Sequence, residues 1–140
     1  MRNVQRRIVR QSIAVFVFFC SLFFGSSLVQ AAPFPDMPTT GASEITRLHR
    51  DGILLGNPDG TLKPHQQVTR AEAVTMIGRA LKLDGTRRST KFHDVPAHHY
   101  ASGYIASGVE KGWISGKTAT SFAPSAPVTR AEMAVFLQRA

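Results

Sequence analysis

The stretch Val68-Thr-Arg-Ala-Glu72 recurs unchanged as Val128-Thr-Arg-Ala-Glu132, sixty positions further along the chain. In each copy a glutamate follows a threonine by three residues, which is the capping box that opens an α-helix. The threonine hydroxyl accepts a hydrogen bond from the glutamate amide, and the glutamate carboxylate accepts one from the threonine amide. We therefore expect two helices that begin at equivalent positions, with Thr69, Glu72, Thr129 and Glu132 as their caps.

The similarity extends well beyond these five residues. When Gly52–Ala80 is set above Gly112–Ala140, ten of the 29 positions are identical, whereas unrelated pairing gives roughly two. Upstream, Phe34-Pro-Asp-Met-Pro38 matches Phe92-His-Asp-Val-Pro96. The chain therefore carries a duplication.

Each copy is predicted to form a helix, a loop and a second helix. The second helices carry apolar residues at helical spacing: Ala73, Met76, Ile77, Ala80 and Leu81, then Met133, Phe136, Leu137 and Ala140. The first helices are predicted at Ser43–Asp51, with Ile45 and Leu48 inward, and at Ala101–Lys111, with Ile105 and Val109 inward. Because one copy has too little apolar area to be stable alone, we expect the two to pack together as a small all-α bundle.

Turn-forming residues separate these helices. Gly52 and Gly112 are placed to end the first helices in a left-handed conformation, and Asp84-Gly85 to close the second helix of the first copy. Asn57-Pro-Asp-Gly60 is typical of a turn, and Thr86–Lys91 is a polar linker. The predicted divisions are a leader at 1–31, repeat 1 at 32–85, the linker at 86–91 and repeat 2 at 92–140.

The first thirty residues have the order of a secretory signal peptide. Four arginines precede an apolar run from Ile13 to Phe24, and Val29-Gln-Ala31 offers a cleavage site. The run is too short to span a bilayer, so we expect no stable membrane insertion after cleavage. Arg6-Arg7 leaves open whether export is general secretory or twin-arginine.

Cleavage would remove the only cysteine, four of the 17 basic residues and none of the nine acidic ones, so the net charge would fall from +8 to +4. The charge of the whole sequence therefore overstates a nucleic-acid interpretation, and the mild excess suits an anionic polymer equally well. We expect no nucleic-acid partner.

No catalytic motif is present in the sequence. It contains no Gly-x-Ser-x-Gly, no His-Glu-x-x-His and no phosphate loop, and we expect neither an enzyme nor a cofactor. His93, Asp94, His98 and His99 invite a metal site, but solvated loop side chains are the favoured interpretation, so no metal is expected.

The chain resembles the S-layer homology family. The resemblance rests on the opening Phe-x-Asp-Val/Met-Pro, the first helix that ends in Gly-Ile or Gly-Trp, the Gly-x-x-x-Gly spacing and the Val-Thr-Arg-Ala-Glu helix start. It covers Phe34 to Ala140. It implies a helical module, part of a three-fold prism when three repeats are present, that tethers exported proteins to the cell wall by binding a secondary cell-wall polymer, often with pyruvylated sugars.

Carried over to this sequence, the resemblance implies that Arg70 and Arg130 contact the acidic group of the glycan. A guanidinium suits a carboxylate, and the first turn of a helix adds free amides. Gly56 and Gly116 would let the sugar approach the backbone, Lys63 or Lys117 would add charge, and Trp113 fits either a sugar platform or the core. The alternative for the arginines is that they are merely exposed helix residues.

The sequence departs from the family pattern in three ways. Two copies are present where the family usually has three, Ile53 and Glu44 replace the aromatic positions of Trp113 and Tyr104, and Lys117-Thr-Ala-Thr120 replaces the Asn-Pro-Asp-Gly turn. An alternative function is therefore a protein–protein module, which binds S-layer proteins or another copy of itself and assembles a third repeat in trans. Both functions place the protein outside the cell, at the cell wall or S-layer.

Overall fold

A computed structural model describes residues 31–140, and residues 32–140 form one compact unit. This part of the chain contains four α-helices and no β-strand: α1 (Ala42–Arg50), α2 (Arg70–Ala80), α3 (Ser102–Glu110) and α4 (Arg130–Arg139). The predicted all-α, tandem helix-loop-helix architecture is thereby confirmed. The signal-peptide prediction lies outside the described residues. Between residues 31 and 140, no helix combines the length and apolar character that crossing a membrane requires.

Both capping boxes are present at the starts of α2 and α4. The Thr69 hydroxyl accepts from the Glu72 amide (3.2 Å) while the Glu72 carboxylate accepts from the Thr69 amide (2.8 Å). The same two bonds join Thr129 and Glu132, at 3.2 and 3.0 Å. Each box satisfies helix-end amides that would otherwise lack partners, which explains why the motif recurs intact.

The first helices end as predicted, but α2 does not. Gly52 and Gly112 adopt positive φ angles of 71° and 75°, a conformation that glycine adopts without steric cost. Helix α2 instead ends near Leu81, and Lys82 takes the left-handed conformation with φ of 54°. The prediction that Asp84-Gly85 closes this helix is therefore wrong. Gly85 lies against the Tyr104 ring, where a side chain would not fit.

An aspartate near the start of each copy holds the loop that precedes the second helix. Asp36 accepts hydrogen bonds from the amides of Leu62 and Lys63, both at 2.7 Å. Asp94 does the same for Phe122 (2.9 Å) and Ala123 (2.8 Å).

Lys63 and Ala123 both have positive φ, at 54° and 58°. Residues with a Cβ rarely adopt this conformation, so the aspartate bonds stabilise a strained turn. The Phe-x-Asp motif is therefore a loop clamp.

The core lies where α2 packs against α3 and the phenylalanines of repeat 2. It comprises Ala71, Val74, Phe92, Val95, Ala101, Ile105, Trp113, Ile114, Phe122 and Phe136. The linker contributes as well, because Arg88 donates to the Ser107 hydroxyl at 2.8 Å and pairs with Asp84 and Glu110. The buried face of α2 thus faces repeat 2, and the two copies are packed on each other as expected.

The outer helices are much less covered than the inner ones. Helix α1 has no buried residue and Leu48 is 39% exposed, whereas Ile105 of α3 is fully buried. Helix α4 buries only Phe136, and Leu137 is 60% exposed. The prediction that Leu48 points inward is wrong, and Leu81 and Leu137, which have the helical spacing of core residues, are exposed too. Their helical spacing is regular, but in residues 31–140 no neighbouring element covers those faces.

Candidate functional site

Arg70 is buried at the joint between the two repeats. Its side chain is 3% exposed and its guanidinium makes three hydrogen bonds to repeat 2. The Nε atom donates to Phe122 O (2.9 Å), Nη2 to Ser115 O (3.1 Å) and Nη1 to the Glu132 carboxylate (3.0 Å).

Two aromatic rings flank this guanidinium. Its central carbon lies 4.7 Å from the centre of the Phe122 ring and 5.3 Å from that of Phe136, which adds cation–π attraction. Burial lowers the pKa of Arg70 and the charge of Glu132 partly offsets this, but an arginine stays protonated at any ordinary pH. The alternative that Arg70 is merely an exposed helix residue is therefore wrong, because most of its hydrogen-bonding capacity serves the joint.

The free amides expected at the start of α2 are occupied too. The amide of Arg70 donates to Ala126 O (2.9 Å) and that of Ala71 to Pro124 O (3.0 Å), while Val128 N donates to Val68 O (2.9 Å). Carbonyl groups of repeat 2 thus take the place that an anion would occupy at this helix start.

Arg130, at the equivalent position of repeat 2, has a different environment. Its side chain is exposed and makes no hydrogen bond or ion pair with any residue between 31 and 140. Ala131, the counterpart of buried Ala71, is exposed as well. The same five-residue motif is therefore enclosed in one repeat and open in the other.

A groove of about 220 Å³ lies beside Arg70 at the joint. It is lined by Arg70, Ser115, Gly116, Lys117, Ala131, Glu132, Val135 and Phe136. The structure thus brings three of the expected glycan-binding residues together, namely Arg70, Gly116 and Lys117. Two cations and one carboxylate share this groove.

Lys117 is the accessible cation of the groove. Its side chain is 44% exposed, and its ammonium group bonds the same Glu132 oxygen that Arg70 contacts. This lysine, then the Thr129 amide, lower the pKa of Glu132 to about 2, against the opposing effect of burial. The carboxylate is therefore ionised and holds both cations at the groove wall.

Gly56 and Gly116 are required by the protein's own packing. A Cβ on Gly56 would overlap the Phe34 ring, and one on Gly116 would overlap the Phe92 ring. Packing against a phenylalanine in each repeat is therefore one reason for these glycines, and the expectation that they let a sugar approach the backbone stays a prediction. Both glycines still line cavities, but with backbone atoms alone.

Trp113 belongs to the core. It is 2% exposed and packs edge-to-face on Phe136, with ring centres 6.3 Å apart. Of the two interpretations open from the sequence, the structure therefore favours the core, because the ring is almost fully buried. The indole Nε1 has no hydrogen-bond partner within residues 31–140, which makes this packing energetically imperfect.

A second, larger cavity of about 420 Å³ lies in repeat 1 and contains Gly56 and Lys63. The Lys63 ammonium pairs with Asp59 at 2.8 Å. Tyr100 borders the cavity and is 46% exposed. Sequence reasoning missed this residue, because nothing in its local pattern shows that it lies beside the loop of the other repeat.

In the histidine-rich segment, Asp94 and His99 make structural hydrogen bonds, whereas the side chains of His93 and His98 are exposed. Asp94 is bonded to the loop amides described above and to the Ser121 hydroxyl (2.7 Å), and His99 accepts from the Ala101 amide at 3.2 Å. Residues 31–140 hold no group of three or more His, Cys, Asp or Glu side chains arranged to bind a metal.

The four-helix fold and the joint around Arg70 together define a tandem helical repeat protein, in which repeat 1 inserts an arginine into repeat 2. A family model for the S-layer homology domain matches residues 33–74 and 91–134, more than half of the chain. The chain belongs to the S-layer homology domain family, so the resemblance read from the sequence is confirmed.

Individual relatives agree with this assignment. The chain is 37% identical over 112 residues to the surface-layer 125 kDa protein of Lysinibacillus sphaericus, which covers 80% of this chain and 9% of the relative. It is 31% identical over 135 residues to an endoglucanase of a Bacillus species, and the match covers 95% of this chain and 14% of the endoglucanase. It is 36% identical over 89 residues to the cellulosome-anchoring protein of Acetivibrio thermocellus, and the match covers 60% of this chain and 20% of that protein.

The chain thus spans less than a quarter of the length of each of these relatives. What they share with it is the S-layer homology region, a non-catalytic module that occurs in surface proteins and in at least one enzyme. Membership in this family places the protein at the cell surface, as a secreted protein.

Proposed function

We propose that this chain holds non-covalently to the cell wall by binding an anionic secondary cell-wall polysaccharide in the groove at the joint between its repeats. The observation that carries the proposal is the convergence of Arg70 and Lys117 on one groove, beside the open backbone of Gly116. The acidic group would be a carboxylate, such as the one that a pyruvyl substituent adds to a sugar.

The electrostatics of the groove favour an acidic ligand. Arg70 and Lys117 face a single carboxylate, Glu132, so the local charge is positive before a ligand binds. Arg70 uses one N–H of each guanidinium nitrogen in the joint, which leaves two for a ligand. Lys117 has three donors and exposed surface.

The relatives support the anchoring part of the proposal. One is a cellulosome-anchoring protein and another a surface-layer protein, and both share this region with the present chain. An anchoring module is expected in proteins of unrelated function. The endoglucanase, which shares this region as a small part of its length, fits that expectation.

Binding to purified cell-wall sacculi tests the proposal. The full chain is mixed with sacculi that retain their secondary polymer and with sacculi from which acid extraction has removed it. We expect retention on the first and loss on the second. Retention on both would contradict polysaccharide binding and favour a protein or peptidoglycan partner instead.

Lys117→Ala supplies the site-specific test, with Lys111→Ala as its control. Both lysines are exposed, and Lys111, which directly follows α3, does not line the groove. Because a hydrogen bond to a charged group contributes about 1.5–3 kcal/mol, we expect Lys117→Ala to weaken binding by roughly tenfold or more. Lys111→Ala should bind like the unaltered chain, and equal binding by both variants would exclude the groove.

Competition with small sugars tests the acidic group. A pyruvylated monosaccharide should displace the chain from sacculi, whereas the same sugar without pyruvate should not. Equal displacement by the two sugars would show that the carboxylate is irrelevant to recognition.

A further inference from the structure

We propose that the chain associates head-to-tail with a second copy of itself, in which Arg130 of one copy inserts into the repeat 1 cavity of the next. This association is separate from glycan binding and does not rest on it. It follows from comparing the joint that is formed within the chain with the equivalent surfaces that are left open at its two ends.

The joint around Arg70 shows what such an insertion needs. The guanidinium of one repeat enters a socket in the following repeat and bonds two loop carbonyls and a capping glutamate. The amides of the first helical turn donate to two more loop carbonyls.

Repeat 1 presents the same socket without an occupant among residues 31–140. The positions equivalent to Phe122, Ser115, Glu132 and Phe136 are Leu62, Leu55, Glu72 and Met76, and all four line the cavity of about 420 Å³. The carbonyls of Leu62 and Leu55 accept no hydrogen bond within the described chain. Only one oxygen of Glu72 is used by the capping box, and the other has no cation beside it within this part of the chain.

Size also distinguishes the two sockets. The repeat 2 socket, which Arg70 occupies, retains about 220 Å³ of open space, against about 420 Å³ for its repeat 1 counterpart. The larger opening of the cavity in repeat 1 leaves room for an arginine.

Repeat 2 presents the matching insert. Arg130 is exposed, and in the described part of the chain its backbone amide and that of Ala131 meet no loop carbonyl of the kind that Arg70 and Ala71 meet. Ala134 of α4 is exposed, whereas its counterpart Val74 is fully buried against α3. The face that α2 buries is therefore open on α4.

The first helices complete the match. Helix α3 covers the buried face of α2, and its counterpart α1 has no buried residue, with Leu48 exposed. In a head-to-tail contact, α4 of one copy would lie on α1 of the next while Arg130 enters the socket beside it. One contact would thus cover both uncovered helices and pair Arg130 with Glu72.

The chain itself supplies the occupant. Within residues 31–140, each copy carries one open socket and one exposed motif arginine without a partner, so the two surfaces are complementary in number and charge. Because the two surfaces differ, the contact is heterologous, and its repetition builds closed rings or linear chains.

Two single substitutions block opposite ends of this contact. Arg130→Ala removes the insert and leaves the socket intact. Leu55→Lys places a cation at the socket, at a position that is 52% exposed and tolerates the longer side chain. Arg87→Ala is the control, because it removes one exposed positive charge from the linker and Arg87 does not line the repeat 1 cavity.

Molecular mass is measured by light scattering over a range of protein concentrations, with the full chain and without any polysaccharide. We expect the unaltered chain and Arg87→Ala to increase in mass with concentration. Arg130→Ala and Leu55→Lys should each raise the dissociation constant by about thirtyfold or more. An equimolar mixture of these two variants should form dimers and nothing larger, because only one productive contact remains.

Two results would overturn the proposal. The first is an unaltered chain that stays monomeric at its highest soluble concentration. The second is association of Arg130→Ala that equals that of Arg87→Ala. Retention on sacculi is measured separately at protein concentrations where the chain is monomeric, so failure of self-association leaves the glycan proposal to be judged on its own result.

Discussion

Replacing Arg70 by alanine should destabilise the fold far more than the same change at Arg130, although both residues occupy the third position of the same motif. Arg70→Ala removes three hydrogen bonds and leaves the carbonyls of Phe122 and Ser115 without their donor in a buried joint. It also removes one of the two cations from Glu132. Because each hydrogen bond to a charged group contributes about 1.5–3 kcal/mol, we expect the three lost bonds to cost several kcal/mol, a large part of the 5–15 kcal/mol typical of a domain.

Arg130→Ala changes an exposed side chain without internal partners in residues 31–140. Surface substitutions of this kind alter stability by about 0.5 kcal/mol or less. Arg70→Lys should fall between the two, because it keeps the charge but loses the forked geometry that reaches three acceptors at once.

Urea unfolding of dilute protein, followed by far-UV circular dichroism, measures these differences. At low concentration, self-association does not contribute to the midpoint. Equal midpoints for Arg70→Ala and Arg130→Ala would refute the reasoning, because they would show that the buried joint contributes no more than an exposed helix start. If Arg70→Ala does not fold, the midpoint of Arg70→Lys against Arg130→Ala provides the same comparison.

Four further predictions concern other parts of the structure. Gly56→Ala should cost about 2–4 kcal/mol in a urea titration, because the new Cβ overlaps the Phe34 ring and the backbone has φ of 74°; a midpoint shift below about 0.5 kcal/mol would contradict the packing. Thr129→Ala should lose roughly 1 kcal/mol with the capping box and leave sacculus binding intact, whereas unchanged stability would contradict a capping role. Burial raises the pKa of Asp94, but the loop hydrogen bonds outweigh this effect and lower the pKa to about 2, below the value near 4 of an unfolded chain. The stabilisation by Asp94 should therefore be fully present above about pH 4 and be lost as the pH falls from 4 to 2. A urea midpoint that does not change over that range would exclude the clamp. Trp113, the only tryptophan, should resist quenching by iodide with or without cell-wall polymer, and strong quenching that the polymer relieves would restore it as a sugar platform.

Local sequence was sufficient to predict the helices and their starts. Thr69 and Thr129 cap as the spacing indicates, and Gly52 and Gly112 end their helices because both features depend only on residues within one turn. The duplication and the helix-loop-helix order follow from the same local patterns.

Local sequence was insufficient wherever a residue's environment depends on the other repeat. Arg70 and Arg130 have identical neighbours in sequence, yet one is enclosed and the other exposed, because only Arg70 has a following repeat packed against it in the described chain. Leu48 and Leu137 have the spacing of core residues and are exposed for the corresponding reason. Trp113 was ambiguous until the position of Phe136 was known.

The most direct measurement of the central claim is residue-level mapping of ligand contact by nuclear magnetic resonance. Isotopically labelled full chain, at a concentration where it is monomeric, is titrated with a pyruvylated fragment of cell-wall polymer. We predict that the largest amide shifts fall at Ser115–Lys117 and at Ala131 and Glu132, which line the groove, while the amides around Lys63 and Tyr100 in the repeat 1 cavity move little. Shifts confined to that cavity, or no shifts at ligand concentrations that release the chain from sacculi, would contradict an anchoring site at the joint between the repeats.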